Sequence, residues 1–378
     1  MGVDAFERAE NRGDGPLDDE GLVPIFLGAD LVSPATYTTW NDAFDDIATF
    51  ASEVAAFSSS PRTTFLSAMA RSLRAAARLF AGETLSFEEK LRDLVGVPAA
   101  PVSDETIAAI HESLDRLMTK LGYTNGTLAE RVFAWQTGRY LDPAEIPALF
   151  TAFMAEAKTR TDALIWPTGD YTMRLNAVRD VPYSGRCSFD DGCMDINLDV
   201  AVTRAALKHL VCHEVFPGHS TQLLSTKSVA ARGTAPLDAL LCTANMVTGA
   251  VQEGIGDQGV DLIDWIEDEH DIAQIEVRRL QTATGTNAAW HLHLSGWTPA
   301  RSVDYLRAVG FGQESWANVR TVMAQHPFRG AFLASYWFGN ETVKELRETT
   351  PTEKRAELIS ALFGSVHSIE SLRASLSD

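Results

Sequence analysis

Two histidines and a glutamate in one short segment have the residue types of a metal site with an adjacent general base. The segment reads His209-Leu210-Val211-Cys212-His213-Glu214-Val215-Phe216-Pro217-Gly218-His219. In the common HExxH pattern, two histidines four residues apart share one helical face, and the glutamate lies beside a metal-bound water. Here His219 follows His213 by six residues, about 600° around an ideal helix, so a continuous helix would point the two imidazoles in different directions.

Pro217-Gly218, between the two histidines, could correct this geometry. Proline cannot donate the backbone hydrogen bond to residue 213, and glycine tolerates unusual dihedral angles. We therefore expect a helix break or bulge that turns His219 back toward His213. Two interpretations compete with this one. The histidines could be ordinary residues at a kinked helix, or a metal could bind His209 and His213, which have i,i+4 spacing but no base beside His209.

Glu253 is the candidate for a third metal ligand. Zinc in hydrolytic sites usually has three protein ligands and one position for water. Glu253 follows an apolar helical pattern between residues 240 and 251, where an unpaired carboxylate would be costly to bury. Asp257 lies one turn later on the same predicted face, where it could accept a hydrogen bond from a ligand imidazole and fix its tautomer. The competing interpretation is a solvated acid at a helix end that contains two glycines.

The chemistry expected of this donor set is hydrolysis. One bound Zn²⁺ would lower the pKa of a bound water toward ~7, so Glu214 could take its proton as a carbonyl carbon is attacked. Glu214 would then return the proton to the leaving amine. The two-histidine, one-glutamate set would also suit Fe²⁺ or Mn²⁺. Arg329 could bind a substrate carboxylate through its forked donors, and Tyr183, Arg186 and Asn197 are further substrate-binding candidates.

The composition restricts the classes of partner. With 378 residues, 45% of them hydrophobic, the chain can form a sizeable core. A net charge of -19, with no cluster of Lys and Arg, argues against a nucleic-acid partner. No apolar run approaches the ~20 residues that a bilayer span needs, so we expect no membrane partner. The sequence leaves the oligomeric state open.

The four cysteines do not form CxxC pairs, and the first residues do not resemble a secretory signal. We therefore expect a cytoplasmic protein. In that reducing compartment, Cys187 and Cys193 are expected as free thiols rather than as a bridge.

Apolar residues at helical spacing predict a mainly α fold. Two helix starts carry a capping residue, a proline and a glutamate, at Asp142-Pro143-Ala144-Glu145 and Thr350-Pro351-Thr352-Glu353, and Thr298-Pro299 is a weaker example. The predicted helices lie near residues 40–58, 61–81, 87–95, 104–121, 127–139, 143–164, 200–216, 236–260, 262–285, 299–309, 328–346 and 352–364.

We expect one helical domain over residues 25–378, with an active-site cleft. Residues 25–165 would form an N-terminal wall, and residues 166–378 the metal-binding and catalytic part. Residues 1–24 are acidic, have no sustained periodicity, and are expected to be a flexible arm. Asp191-Gly192 between short extended runs predicts a small antiparallel hairpin or sheet before the metal-motif helix, whose edge could align an extended ligand.

The HExxPGH pattern resembles the bacterial domain-of-unknown-function family 885, which comprises helical zincin-like proteins related to metallocarboxypeptidases. Further positions match over roughly residues 183–347: Gln222, Gln252-Glu253-Gly254, His293-Leu294-Ser295-Gly296-Trp297-Thr298 as HxxGWT, and Ser335-Tyr336-Trp337-Phe338-Gly339 as SYxxG. The resemblance implies His213, His219 and Glu253 as metal ligands and Glu214 as the base. It places Gln222 near the metal and selects His293 over His291. His293 and Tyr336 are then candidate donors to the oxyanion of the tetrahedral intermediate.

The chain departs from this family at several positions. Ser220 stands where members usually have a second histidine, Ala289 where they have an aspartate, and Pro327-Phe328-Arg329-Gly330-Ala331-Phe332-Leu333 where they have PGQAL. Members are also typically longer on the N-terminal side. These departures favour a small-molecule or short-peptide substrate.

Three functions follow as hypotheses. The first is a zinc-dependent, carboxypeptidase-like hydrolase of peptide or small-molecule amide bonds. The second is a metal-dependent lyase, cyclase or tailoring enzyme of specialised metabolism on the same scaffold. The third is a non-enzymatic, zinc-stabilised binding module, which the retained base Glu214 disfavours.

Overall fold

Helices make up most of the chain, which confirms the mainly α fold. The computed structural model describes residues 24–26, 35–181, 185–189, 191–243, 246–327 and 329–377. The helices are α1 (Trp40–Ala55), α2 (Pro61–Phe80), α3 (Phe87–Glu89), α4 (Asp104–Lys120), α5 (Leu128–Thr137), α6 (Ile146–Leu164), α7 (Arg204–Glu214), α8 (His219–Ala231), α9 (Gly249–Asp257), α10 (Gly259–Leu262), α11 (Glu269–Leu294), α12 (Pro299–Ala308), α13 (Glu314–Gln325), α14 (Arg329–Thr349), α15 (Arg355–Gly364) and α16 (Ile369–Ser375). A π-helical turn, Lys90–Val95, continues α3, and 3₁₀ turns span Leu237–Leu240 and Thr352–Lys354.

Within the described residues, five strands form two small sheets. They are β1 (Pro24–Phe26), β2 (Arg174–Val178), β3 (Gly185–Ser188), β4 (Cys193–Asn197) and β5 (Leu241–Thr243). The sheet that precedes α7 has the order β2-β4-β3. Strands β3 and β4 are the antiparallel hairpin expected around Asp191-Gly192, but β2 pairs with β4 in parallel, so the sheet is mixed rather than antiparallel. The connection from β2 to β3 skips one position in the sheet, and β4 fills that position.

The predicted helix 236–260 is wrong. Residues Leu237–Leu240 form a 3₁₀ turn, Leu241–Thr243 form β5, and regular helix begins only at Gly249 in α9. Strand β5 pairs antiparallel with β1, from Pro24↔Thr243 to Phe26↔Leu241. This pairing joins segments far apart in the sequence, so it has no local signal. Pro24 therefore belongs to a strand, while the remainder of the expected acidic arm, residues 1–23, lies outside the described residues.

The three expected helix starts have different outcomes. At Thr350 no side-chain capping bond forms among the described residues, and a 3₁₀ turn over Thr352–Lys354 precedes α15. The Thr298 hydroxyl accepts a hydrogen bond from the Arg301 amide (3.2 Å) at the start of α12, as expected. At the Asp142 start, the side chain accepts from the Ala144 amide (2.9 Å), but this bond closes a turn, and α6 begins at Ile146 rather than at Pro143. A carboxylate capping bond therefore marks where the chain turns but does not fix the first helical residue.

Helix α7, which carries the metal motif, is anchored at its start and near its middle. The Thr203 hydroxyl caps its first turn by accepting from the Ala206 amide (3.1 Å). Lys208, whose side chain is 1% exposed, forms ion pairs with Glu267 at 2.8 Å and with Asp271 near the start of α11. Removing one partner of such a buried pair typically costs about 3–5 kcal/mol, so this contact holds α7 against α11.

The largest core cluster surrounds α7 and α9. It includes Leu207 and Val211 from α7, Ile255 from α9, Phe150 from α6 and Val343 from α14, all nearly inaccessible to water. Each such side chain contributes about 1.5–3 kcal/mol when fully buried. Apolar packing thus fixes α7 and α9, which carry the candidate ligands, relative to each other.

Helices α9 and α14 cross in direct backbone contact. A Cβ atom on Gly254 would lie 2.3 Å from the Gly339 carbonyl oxygen, and one on Gly339 would lie 1.7 Å from the Ala250 carbonyl oxygen. Neither position can carry a side chain without separating the helices. The crossing brings the helix of Glu253 against the helix of Tyr336.

Two further expectations can be compared with the structure. Cys187, Cys193 and Cys212 are free thiols in the structure. No helix within the described ranges combines the length and apolar character that crossing a bilayer requires.

Candidate metal centre

The expected helix break lies between His213 and His219. Helix α7 ends at Glu214, and α8 begins at His219. The Ser220 hydroxyl donates to the Glu214 carbonyl (3.1 Å) across the break. A Cβ atom on Gly218 would lie 1.6 Å from the His213 carbonyl oxygen, so only glycine fits this close approach. The break brings the two imidazole rings to a centroid distance of 4.8 Å, at 82° to each other.

Glu253 on α9 points its carboxylate at both imidazoles. Its Oε2 lies 3.2 Å from Nε2 of His213 and 3.8 Å from Nε2 of His219. The ligand atoms of these three residues all lie within 4.8 Å of one another. Ligands at the usual zinc distances around one tetrahedral ion are about 3.3 Å apart, so the set fits a single cation with small side-chain adjustments.

The hydrogen bonding of Glu253 supports the same conclusion. Its side chain is 12% exposed, and Oε2 is buried without a hydrogen-bond partner among the described residues. Although Nε2 of His213 is close, the contact does not have hydrogen-bond geometry. A buried carboxylate oxygen is costly unless it is compensated, and a cation between it and the two imidazoles would supply that compensation. The residues therefore fit a metal ion.

Asp257, one turn after Glu253, contacts the other side of the same imidazole. Nδ1 of His213 donates to Oδ1 of Asp257 (3.0 Å), which leaves Nε2 directed at Glu253. The Arg278 guanidinium also donates to this oxygen (3.1 Å). Burial alone would raise the pKa of Asp257, but the charge of Arg278 and the contacts with His209 and His213 hold it well below its ordinary value. Asp257 thus has the position expected for a residue that orients a ligand imidazole.

The two carboxylates favour positive charge on His213. Burial alone would lower the pKa of this imidazole, but its contacts with Asp257 and Glu253 raise the pKa to about 10. For Glu253, burial alone would raise the pKa. The contact with His213 and the charges of both histidines instead lower it below its ordinary value. The same electrostatic attraction would act on a metal cation.

The alternative pair, His209 and His213, forms a second compact group with Asp257. Nε2 of His209 lies 3.4 Å from Oδ1 of Asp257, and burial lowers the pKa of His209. Oδ2 of Asp257 has no hydrogen-bond partner among the described residues. In this group, however, Arg278 already compensates the carboxylate charge. The carboxylate of this group therefore has less need of a cation than Glu253, although both nitrogens of His209 also lack a hydrogen-bond partner among the described residues.

Glu214 is the last residue of α7 and is partly exposed beside His213. The pKa of the Cys187 thiol on β3 is raised to about 12, first by burial and second by the negative charge of the Glu214 carboxylate. Strand β3 is an edge of the three-stranded sheet. The structure thus brings the expected base close to a sheet edge, where an extended ligand could pair.

Tyr336 of α14 is close to the Glu253 end of the site. Burial and the charge of Glu253 raise the pKa of its phenol above the ordinary value, while Arg320 and Arg278 oppose the shift. The phenol therefore stays protonated and can donate a hydrogen bond. This location agrees with its expected role as an oxyanion donor, which stays a prediction.

His293 has different surroundings from those expected. It lies near the end of α11, where Nε2 donates to the Ala324 carbonyl (2.8 Å) and the ring stacks on Phe87 at 4.4 Å. Among the described residues, its contacts include no candidate ligand. The expectation of an oxyanion donor is therefore not supported, because the donor nitrogen holds α11 to α13. His291 is also in α11 and contacts Ser295.

Gln222 has a positioning contact. Its Nε2 donates to the Gln252 carbonyl (3.2 Å) and so links α8, which begins at His219, to the residue before Glu253. The contact holds the second and third candidate ligands together, as expected for a residue near the metal.

The proposed substrate-binding residues are dispersed. Asn197 ends β4 and bonds the Val181 carbonyl (3.1 Å) and the Asp199 amide (2.9 Å), so its described contacts are those of a turn. Arg329 begins α14, and its charge lowers the pKa of Tyr336, so it is near the site. Arg186 pairs through its backbone with Asp195, but its side chain lies outside the described part of the structure, as does all of Tyr183.

Sequence reasoning did not identify two arginines at this site. Arg278 neutralises Asp257, and Arg320 lies with it against Tyr336. Neither belongs to a motif with characteristic spacing. The one available signal was indirect, since a buried Asp257 requires a positive partner that the motif itself does not provide.

Comparisons with known proteins identify only the fold. No family model matches the chain, and no characterised protein matches it in sequence. Among solved structures, a putative lipoprotein from Colwellia psychrerythraea is similar, with a TM-score of 0.59 and 16% identity over 89% of this chain and 69% of that chain. A putative lipoprotein of unknown function from Shewanella oneidensis has a TM-score of 0.53 and 14% identity, over 90% of this chain and 73% of that chain. At these identities the likeness concerns the fold alone.

Proposed function

We propose that the chain is a metal-dependent hydrolase of peptide or small-molecule amide bonds, with one Zn²⁺ bound by His213, His219 and Glu253. The observation that carries the proposal is the buried Glu253 oxygen that faces two imidazole nitrogens at 3.2 and 3.8 Å without a hydrogen-bond partner among the described residues. No family model matches the chain, so the resemblance to family 885 supports the proposal only through individual motif positions.

Each residue of the site has a role in the proposed reaction. A zinc ion would act as a Lewis acid that polarises a carbonyl group and lowers the pKa of water. Glu214 would hold the proton released from the attacking water and pass it to the leaving amine. The Tyr336 phenol would donate to the oxygen that becomes negative. Asp257 would keep the Nδ1 proton on His213, so that Nε2 remains available as a ligand.

Access to the site agrees with these roles. The exposed fraction of the side chains rises from 8% at His213 and 12% at Glu253 to 29% at His219. The site is therefore open on the α8 side, and a substrate could reach it there. Its inner wall, at Asp257, is closed.

The first test is the metal content of full-length protein purified without an affinity tag. We expect about one zinc per chain by inductively coupled plasma mass spectrometry, and a loss of most of it in His219→Ala, because two ligands hold zinc poorly. Wild-type protein that takes up less than about a tenth of an equivalent from added zinc would overturn the proposal.

The second test separates the base from the ligands. Glu214→Gln should keep its zinc and lose about 10²–10⁴-fold in turnover, since the amide cannot accept the proton. Release of primary amine from a panel of N-acetyl dipeptides, with free or amidated carboxyl ends, would be measured. Glu345→Gln changes an exposed glutamate that pairs with Arg373, and it should keep both properties. Equal turnover by Glu214→Gln and the wild type would remove Glu214 from the mechanism.

A further inference from the structure

Arg320 of α13 is a partly buried cation without a carboxylate partner among the described residues. Its guanidinium lies 5.4 Å from the centroid of the Tyr336 ring and 5.8 Å from that of Trp316, and it donates to the Met323 sulfur at 3.9 Å. No carboxylate of the described residues lies within 4.0 Å of it. Burial lowers the pKa of Arg320 below its ordinary value. The surroundings therefore disfavour its charge, although arginine stays protonated.

The nearest arginine makes this imbalance larger. Arg278 lies 5.5 Å from the same Tyr336 ring centroid, so two guanidinium groups contact one phenol ring. Asp257 compensates Arg278 through a 3.1 Å contact. The positive charge of Arg278 also disfavours the charged form of Arg320. One positive charge in this cluster thus remains without a close negative partner.

These side chains line a small pocket between α11, α13 and α14. Its walls include Arg278, Gln281, Trp316, Arg320 and Tyr336, and the enclosed space is about 10 Å³, roughly enough for one water-sized group, with the remainder open to solvent. The size suits one small polar group rather than a long side chain. Arg278, which lines the pocket, also contacts Asp257 at 3.1 Å, so the pocket adjoins the candidate metal centre.

We propose that this pocket binds a carboxylate of the substrate, with the Arg320 guanidinium as its principal partner. The inference rests on the proposed hydrolase function and specifies its substrate class: peptides or amides with a free carboxylate near the bond that is cleaved. A guanidinium fork matches the two oxygens of a carboxylate, and this ion pair would offset the cost of burying Arg320. The carboxylate could be a chain terminus or an Asp or Glu side chain.

Binding of small probes to the full-length protein tests the proposal. The probes are N-acetyl-alanine, its primary amide, and N-acetyl-glutamic acid with an amidated α-carboxyl group. Isothermal titration calorimetry would be done on zinc-loaded protein and on protein treated with a chelator, because a carboxylate can also bind zinc directly. We expect N-acetyl-alanine or the glutamic acid derivative to bind to the protein both with and without zinc. The neutral amide should bind to neither form of the protein. Which acid binds more tightly distinguishes a terminal from a side-chain carboxylate.

Variants of one residue locate the binding. Arg320→Gln should weaken binding of the acid by about 10- to 100-fold in both states, the usual value of a hydrogen bond to a charged group. Arg320→Lys keeps the charge without the fork and should retain part of the affinity. Arg307→Gln is the matched control, because Arg307 is half exposed on the neighbouring α12 and pairs at 3.7 Å with Glu314. Circular dichroism would show that each variant is folded.

The outcomes separate this inference from the proposed function. Equal binding by Arg320→Gln and wild type, or equal binding of acid and amide, would overturn the carboxylate pocket, whatever the zinc content. Binding that depends on Arg320 in a protein that takes up no zinc would support the pocket and overturn the hydrolase. Loss of acid binding in Arg320→Gln together with unchanged zinc content is the result expected if both are right.

Discussion

The two carboxylates at the end of α9 contact the same imidazole but have different electrostatic surroundings. Asp257 has no exposed side-chain surface, accepts from His213, and is paired with Arg278 at 3.1 Å. Glu253, one turn earlier, is 12% exposed and faces only imidazoles, at 3.2 and 3.8 Å. A fixed positive partner is therefore present at one carboxylate and absent from the other among the described residues.

This difference indicates where a cation should bind. Both groups of three residues are compact enough to hold an ion, so the distance between ligands does not distinguish them. Charge compensation distinguishes the two groups, because Arg278 already neutralises Asp257, whereas Glu253 still needs a positive partner. The comparison assigns ligation to Glu253 and orientation of His213 to Asp257, and each assignment can be tested by changing one residue.

The largest effect is expected from Glu253→Gln. This variant removes the negative ligand, so zinc content should fall from about one per chain to below about a tenth. Inductively coupled plasma mass spectrometry on dialysed protein measures this change. Glu276→Gln is the control, since Glu276 is also 12% exposed but pairs with Arg279 at 2.9 Å, and its zinc content should not change. Full zinc content in Glu253→Gln would contradict the assignment.

A smaller effect is expected from Asp257→Asn. The amide weakens the contact that fixes the His213 tautomer, so zinc affinity should fall about 10- to 100-fold while saturating zinc still fills the site. Competition with a fluorescent chelator would measure the affinity. Thermal unfolding would show how far the loss of the Arg278 partner destabilises the fold. An unchanged affinity, or zinc content that cannot be restored, would remove the distinction between ligand and orienting residue.

The smallest effect is expected from His209→Gln. His209 contacts Asp257 but not Glu253 in the described structure, so zinc affinity should change by less than about threefold, as for a residue outside the ligands and their direct partners. The same chelator competition applies. If this variant instead loses its zinc, the ion belongs to the group of His209, His213 and Asp257, and the comparison is reversed.

The sequence predicted the break in the metal motif because its cause is local. Pro217 and Gly218 interrupt α7 in the way their backbone chemistry requires, and the two imidazoles meet as a result. Asp257 was also placed correctly beside His213, because one helical turn separates it from Glu253. Whether zinc binds there is still a prediction.

Helix α8, in contrast, was not predicted. Ser220, Thr221, Ser225 and Thr226 are buried along with Leu223, so this helix has no apolar stripe on one face. Helices α13 and α16 were missed as well. Strand β5 was included in a predicted helix because its partner, β1, lies at the other end of the chain.

Contacts between distant helices account for the remaining differences. His293 matched a family pattern, yet its nitrogen bonds the Ala324 carbonyl of α13. Arg320 is an isolated arginine in the sequence and acquires significance only because α13 packs beside Tyr336 of α14. Such placements depend on how helices pack, and single-sequence patterns carry little information about packing.

The glycine crossing of α9 and α14 limits how this site can change over time. Because the backbones of α9 and α14 touch at Gly254 and Gly339, Glu253 and Tyr336 lie on one rigid unit, and the two helices cannot hinge apart. Access to the site is therefore expected on the side of α8, where the His219 side chain is 29% exposed. The same rigidity implies that new substrate preferences would arise by exchanging residues of the neighbouring pocket, such as Arg320, while the two glycines tolerate no replacement.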